Sequence, residues 1–134
     1  MILLTYEEIK KQLTFGEHIS PELFDTVADD LAQILARDRF TNKPTQLRRF
    51  YDEFCLWHEK VENDQEAFEK ILPFIKMINA KVAYAKGRKL VDDNFLKFMQ
   101  DGLRSIKTKN ELDNFKTFFE ATLGFFKLHR PSDN

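Results

Sequence analysis

The clearest helix signal in the chain lies in Thr108–Phe126, which reads TKNELDNFKTFFEATLGFF. Thr108 and Glu111 have the spacing of a capping box, in which each side chain binds a free backbone N–H at the start of a helix. Side chains suited to a core then recur every three or four residues, at Leu112, Phe115, Phe119, Thr122 and Phe126. Because this spacing forms one stripe along a helix, the segment predicts an amphipathic helix over about 109–128.

Similar caps and spacings upstream predict six helices in all. The predicted spans are about 6–14, 21–40, 44–62, 64–86, 92–107 and 109–128. Pro73 lies inside the fourth span, and we expect it to kink that helix or to split off its first turns. The 4 Gly and 4 Pro are too few for the turns of a many-stranded sandwich or barrel. The sequence therefore predicts an all-α fold, a compact bundle of five to six helices in a single domain over residues 1–134, with residues 131–134 frayed.

Phenylalanine is unusually frequent, with 14 residues in a chain of 134. Such rings require burial, either in a core or at an interface. Phe118 and Phe125 lie off the main stripe of the last predicted helix, so this helix is apolar on more than one side. Two explanations stay open. Either the helix is central in the bundle, or it shares this surface with another chain.

The sequence lacks the common motifs of catalytic, metal and cofactor sites. It contains no G-x-x-x-x-G-K-[ST] or G-x-G-x-x-G phosphate loop and no H-E-x-x-H metal motif. Cys55 and His58 are three residues apart on one predicted helix, but His18 and His129 lie on other segments, so no ligand set is complete. We expect no enzyme activity, no metal and no cofactor. A metal-dependent hydrolase built on Cys55 and His58 remains as an alternative.

The single cysteine, Cys55, excludes an internal disulfide framework and favours a reducing compartment. The first residues lack the basic region and the apolar run of a signal peptide. No stretch approaches the roughly 18 apolar residues of a membrane span. We therefore expect a cytoplasmic protein.

Three cations lie at the start of the third predicted helix, although the net charge of the chain is only −1. Lys43, Arg48 and Arg49 lie where positive charge opposes the helix dipole. Pairing of Arg48 with Asp52 and of Arg49 with Glu53, four residues on, is one explanation, but this order of charges is the weaker one. Helix stability therefore does not account for these cations, whereas an external anion such as a phosphate would.

A second group of cations lies in residues 73–91, which carry five Lys or Arg and no Asp or Glu. Lys81 and Tyr84 share the side of the fourth predicted helix opposite its apolar stripe, and Lys76 flanks the stripe. Lys86 and Arg88, near the helix end, are also explained by the helix dipole. Cations beside an exposed Tyr suit a sugar-phosphate strand that is contacted without base readout. The candidate residues are Lys43, Arg48, Arg49, Lys76, Lys81, Tyr84, Lys86 and Arg88.

Several segments, taken in order, resemble one known family. They are residues 46–53 (QLRRFYDE), 72–77 (LPFIKM), 80–85 (AKVAYA), 87–88 (GR) and 118–127 (FFEATLGFFK). They resemble the small subunit of the CRISPR type III-A (Csm) effector complex, and the likeness covers about residues 43–130. It implies an all-helical, non-catalytic subunit of an antiviral ribonucleoprotein. Copies of the subunit would stack head to tail beside the backbone subunits, near the guide RNA and the target RNA.

The sequence thus leaves two main hypotheses of function. In the first, the eight candidate residues are RNA-binding and touch the guide RNA and target RNA backbones. The partners are then these RNAs, other Csm subunits and copies of the chain itself, as a filament in the complex or a dimer in isolation. In the second hypothesis, the chain is a helical adaptor that binds only protein, and its cations are solvated surface.

Overall fold

Short polar side chains set where four of the helices begin. In the computed structural model, which describes residues 3–133, Thr5, Asp64, Asp92 and Thr108 each accept a backbone N–H from the first turn that follows. The elements in chain order are α1 (Tyr6–Lys10), a π-helical turn (Leu23–Val27) that continues into α2 (Ala28–Ala36), α3 (Pro44–Val61), α4 (Gln65–Lys76), α5 (Ile78–Gly87), α6 (Asp93–Ser105) and α7 (Lys109–His129). No strand occurs among the described residues, so the predicted all-α bundle is confirmed.

Stacked and edge-on phenylalanine rings join α3, α6 and α7 in the core. The ring centre of Phe115 on α7 lies 5.2 Å from that of Phe54 on α3 and 5.5 Å from that of Phe98 on α6. Phe118 is fully buried and contacts Phe98, while Phe125 is partly buried against the same core. The extra apolar side of α7 is therefore explained by its central position. For Phe118, the interface explanation is wrong.

The first two helices are shorter than predicted. Tight turns end α1 at Lys10 rather than near residue 14, and the chain then carries Phe15 into the core. The second helix opens with a π-helical turn and ends at Ala36 rather than near residue 40. Asp38 accounts for the earlier stop, because its carboxylate accepts the backbone N–H of Phe40 and the hydroxyl of Thr41. Such local bonds compete with continuation of a helix.

The predicted fourth helix is two helices, and the expectation that Pro73 splits off its first turns is wrong. α4 continues through Pro73 to Lys76, and α5 starts at Ile78. Proline has no backbone N–H and therefore cannot bond a carbonyl of the preceding turn. Its own carbonyl still accepts the N–H of Met77 at 3.0 Å, so the helix continues past Pro73. The N–H of Ala80 then bonds the carbonyl of Met77 at 2.9 Å, in a tighter turn. The division thus falls four residues after Pro73 instead of before it.

The C-terminal segment contacts the start of α3 and the loop before it. The buried guanidinium of Arg130 donates to the backbone carbonyls of Asp38, Arg39 and Thr41, at 2.7–2.9 Å. A carboxylate oxygen of Asp133 accepts the backbone N–H of Thr45 at 3.1 Å. The end of α7 is therefore tied to the turn that positions α3. None of the described helices is long and apolar enough to cross a membrane.

Candidate nucleic-acid interface

α3 presents two adjacent arginines near its start. Lys43 precedes the helix without a capping hydrogen bond from its side chain, and Pro44 is its first residue. Arg48 and Arg49 follow in the next turns, and both are exposed. Arg48 Nε lies 3.2 Å from Asp52 Oδ1, and its guanidinium carbon lies 5.3 Å from the ring centre of Tyr51. Because both charged groups are largely solvated, this ion pair adds little stability.

α5 presents one exposed face that combines cations and an aromatic ring. Met77, Lys81, Tyr84 and Arg88 follow at intervals of four, three and four residues, which places them on one side of a helix. All four side chains are exposed, and Tyr84 is 68 % accessible. The guanidinium carbon of Arg88 lies 5.9 Å from the ring centre of Tyr84. The face therefore offers positive charge beside an accessible π surface.

Arg49 of α3 and Lys81 of α5 line the same shallow groove, with a volume of about 650 Å³. We call it the α3–α5 groove. It is lined by Arg49, Asp52, Glu53, Leu56, Trp57, Lys60 and Lys81. The two helices therefore bring together two of the candidate cations that are far apart in the sequence.

Glu53 organises the charges of the α3–α5 groove. Its Oε2 atom lies 2.6 Å from the Lys81 ammonium and accepts the indole N–H of Trp57 at 3.4 Å. Among the described contacts, Glu53 is therefore bonded to Lys81 and Trp57, and not to Arg49 as the spacing along α3 allowed. Lys81 is 46 % exposed, so its charge remains accessible to solvent despite this ion pair.

The other candidate residues lie outside the α3–α5 groove. Arg48 lines a second groove of about 510 Å³, together with Tyr51 and residues of α7 that include Lys127. Lys43 lines a third groove, of about 380 Å³, with Asp133. Lys86 lies 3.5 Å from Asp93 on α6, and Lys76 is partly buried at the end of α4. The candidates thus form a core of Arg49 and Lys81, the adjoining Tyr84 and Arg88 on α5, and four dispersed residues.

Three residues at or beside the groove were not predicted from the sequence: Trp57, Lys60 and Phe74. Trp57 and Lys60 line the α3–α5 groove, and the ring of Phe74 stacks on Trp57 at a centre distance of 5.0 Å and an angle of 17°. The intervals from Arg49 to Glu53, Trp57 and Lys60 are four, four and three residues, which places them on one face of α3. That spacing could have identified the α3 side of the groove.

His58 takes part in a hydrogen-bonded cluster rather than a pair with Cys55. Its Nε2 atom lies 2.7 Å from Asp113 Oδ1, and the Lys109 ammonium also contacts this carboxylate at 2.7 and 2.8 Å. Partial burial alone would raise the pKa of Asp113, but the hydrogen bonds from Lys109 and His58 outweigh it and lower the pKa below its ordinary value. In residues 3–133, no group of three or more His, Cys, Asp or Glu is arranged to hold a metal ion.

Comparison with known proteins identifies the family. The family model described as Csm2 Type III-A matches residues 18–132, which include both helices of the α3–α5 groove. The chain belongs to the Csm2 type III-A family. The resemblance seen in the sequence is therefore confirmed, and the chain is a small subunit of type III-A CRISPR effector complexes. No curated protein and no solved structure matches the chain.

Proposed function

We propose that this Csm2-family subunit contacts the backbones of the guide RNA and target RNA, through the α3–α5 groove and the adjoining face of α5. The observation that carries the proposal is the presence of Arg49, Lys60 and Lys81 around one groove. Tyr84 and Arg88 extend this surface along α5. Cations that neutralise phosphates bind nucleic acid by releasing counterions, and they do not read its sequence.

The charge balance of the groove favours weak RNA contacts in the free chain that become stronger in the assembled complex. Its three cations face two carboxylates, Asp52 and Glu53, so the net local charge is small. Such a site adds to binding when other subunits hold the RNA in place. Sequence recognition would then come from base pairing between guide and target, as in other RNA-guided systems.

We also propose that this subunit does not catalyse a reaction. Csm2 is a structural small-subunit family, which supports a role without catalysis for this chain.

Phe40 and Leu128 are largely exposed apolar side chains, and they suit contacts with neighbouring copies or other Csm subunits. Head-to-tail contacts between copies would form a filament, because such contacts do not close. A subunit that binds guide RNA and target RNA is expected in the cytoplasm.

One observation favours the alternative of an adaptor that binds only protein. Arg48, Lys81 and Lys86 each already lie within 3.5 Å of a carboxylate oxygen. If these ion pairs persist in the complex, the cations are part of a solvated protein surface and no phosphate replaces their partners.

The salt dependence of RNA affinity distinguishes the two functions. We would assemble the effector complex with the wild-type chain, with Arg49→Ala and with Lys81→Ala, and measure target-RNA affinity at several salt concentrations. Each substitution should lower the affinity and reduce the slope of log affinity against log salt by roughly 0.7. Lys97→Ala is the matched control, because Lys97 lies on α6 beside Glu7 and outside the groove. Slopes equal to the wild-type slope would contradict RNA contact and favour the adaptor.

A further inference from the structure

We propose that the α3–α5 groove is also a seat for an unpaired RNA base, which stacks against Trp57. The inference rests on the proposed RNA contact and goes beyond it, because it assigns a contact with a base in addition to the phosphates. It predicts that the subunit holds single-stranded or locally unpaired RNA more tightly than a bare sugar-phosphate strand.

The surroundings of Trp57 hold its ring in a fixed position. Phe74 stacks on it, nearly parallel, and is itself 49 % exposed. The indole N–H donates to Glu53, so the polar edge of the ring is already satisfied. Leu56, also largely exposed, lines the groove beside the indole. Trp57 is partly buried against the core and lines the groove, so a base would stack on the part of the indole that the groove leaves accessible.

The cations around Trp57 favour a nucleotide as the occupant over an apolar protein segment. Arg49, Lys60 and Lys81 line the same groove as the indole and outnumber its two carboxylates, so a phosphate joined to a stacked base finds a small net positive charge within one site. An apolar helix placed here would cover those charges and remove their water, which is costly unless each is paired again. A nucleotide satisfies the aromatic surface and the cations together. Stacking of this kind tolerates any base.

Trp57 is the only tryptophan of the chain, so its fluorescence reports directly on the groove. We would titrate the full chain at low salt with a ten-nucleotide oligouridylate, with an abasic ribose-phosphate strand of equal length, and with inorganic polyphosphate. The oligouridylate should quench Trp57 emission saturably and bind about tenfold more tightly than the abasic strand. Equal affinities, with emission unchanged, would overturn the base seat and leave the phosphate contacts standing.

A pair of variants separates the role of Trp57 from general surface effects. Trp57→Ala should reduce the affinity ratio of oligouridylate to abasic strand to about one. Leu3→Ala, which removes an exposed apolar side chain before α1 and outside the groove, should keep the wild-type ratio. A wild-type ratio in folded Trp57→Ala would contradict the proposal even if the quenching is observed.

Two further outcomes would also reject the base seat. If none of the three polyanions binds the free chain, the base seat is rejected, and the phosphate contacts are judged by the salt dependence in the assembled complex. If other purified Csm subunits change the Trp57 emission in the absence of RNA and RNA does not, the groove is a protein contact and the base seat is wrong.

Discussion

The ammonium of Lys81 on α5 lies 2.6 Å from Glu53 Oε2 on α3, so an ion pair joins the two sides of the α3–α5 groove. The two residues are 28 positions apart in the sequence. Glu53 is the less exposed partner, at 27 %, and it also accepts the indole N–H of Trp57. A phosphate that binds Lys81 must compete with this carboxylate. In the proposed RNA contact, this pair would set how readily the groove accepts a phosphate.

Removing the charge of Glu53 should strengthen RNA binding. Glu53→Gln leaves Lys81 without its anionic partner, so we expect a severalfold gain in RNA affinity and a steeper salt slope, by at most roughly 0.7. Titration of the full chain with oligouridylate at several salt concentrations measures both. Glu59→Gln is the matched control, because it removes one negative charge from an exposed position of α3 outside the groove. A Glu53→Gln effect no larger than that of Glu59→Gln would contradict competition at Lys81.

Gly102 of α6 is required by close packing against α7. A Cβ atom at this position would overlap the buried ring of Phe115, which other aromatic rings hold in place. Alanine favours a helix by about 1 kcal/mol over glycine, yet we expect Gly102→Ala to lower the free energy of unfolding by about 1–3 kcal/mol. Gly124→Ala on α7 is the control, because its Cβ would meet open space, and it should stabilise by roughly 0.5–1 kcal/mol. Urea denaturation measures both, and a stabilised Gly102→Ala would contradict this packing.

The cluster of His58, Lys109 and Asp113 should stabilise the fold in a pH-dependent way. Because the pKa of Asp113 is lower in the folded chain than its ordinary value of 3.8, the carboxylate contributes stability above that value and loses it as pH falls through the folded-state pKa. Asp113→Asn should therefore lower Tm at pH 7. The difference from the wild type should shrink below about pH 4. A Tm difference that stays constant between pH 7 and pH 3 would contradict this assignment.

Asp30 should show the opposite dependence. Burial, and then the neighbouring charge of Asp29, raise the pKa of Asp30, so its charged form is disfavoured in the folded chain. This cost is present at neutral pH and disappears as pH falls below the ordinary value of 3.8. We therefore expect Asp30→Asn to raise Tm at pH 7 and to match the wild type at acid pH. Differential scanning calorimetry across this range measures the effect, and a lower Tm for Asp30→Asn at pH 7 would count against it.

Local signals in the sequence predict most of the helices, because caps and the 3.6-residue spacing act within one helix. The predicted bounds of α3, α6 and α7 fall within two residues of those observed. Local spacing does not show what packs across the bundle. Asn42 illustrates this limit, since it is fully buried and bonds the carbonyl of Leu35 and the backbone N–H of Asp92. The same limit hid the contact of Gly102 with Phe115.

The sequence identified only part of the candidate groove, because local spacing does not show which residues of different helices meet. Arg49 and Lys81 stood out because helix stability did not explain their charges, and the fold brings them to one groove. The stacked pair of Trp57 and Phe74 was not predicted, because the two residues belong to different helices and meet only in the folded chain. The ion pair of Lys81 with Glu53 likewise depends on how α5 lies against α3.

Ultraviolet crosslinking of RNA in the assembled effector complex, followed by mass spectrometry of the crosslinked peptides, tests the central claim most directly. We predict crosslinks in the segments of α3 and α5 that carry Arg49, Trp57, Lys81 and Tyr84, and a loss of these crosslinks in the combined Arg49→Glu and Lys81→Glu variant. Crosslinks confined to α1, α6 or α7, or none to this subunit in a complex that binds its target, would contradict the claim.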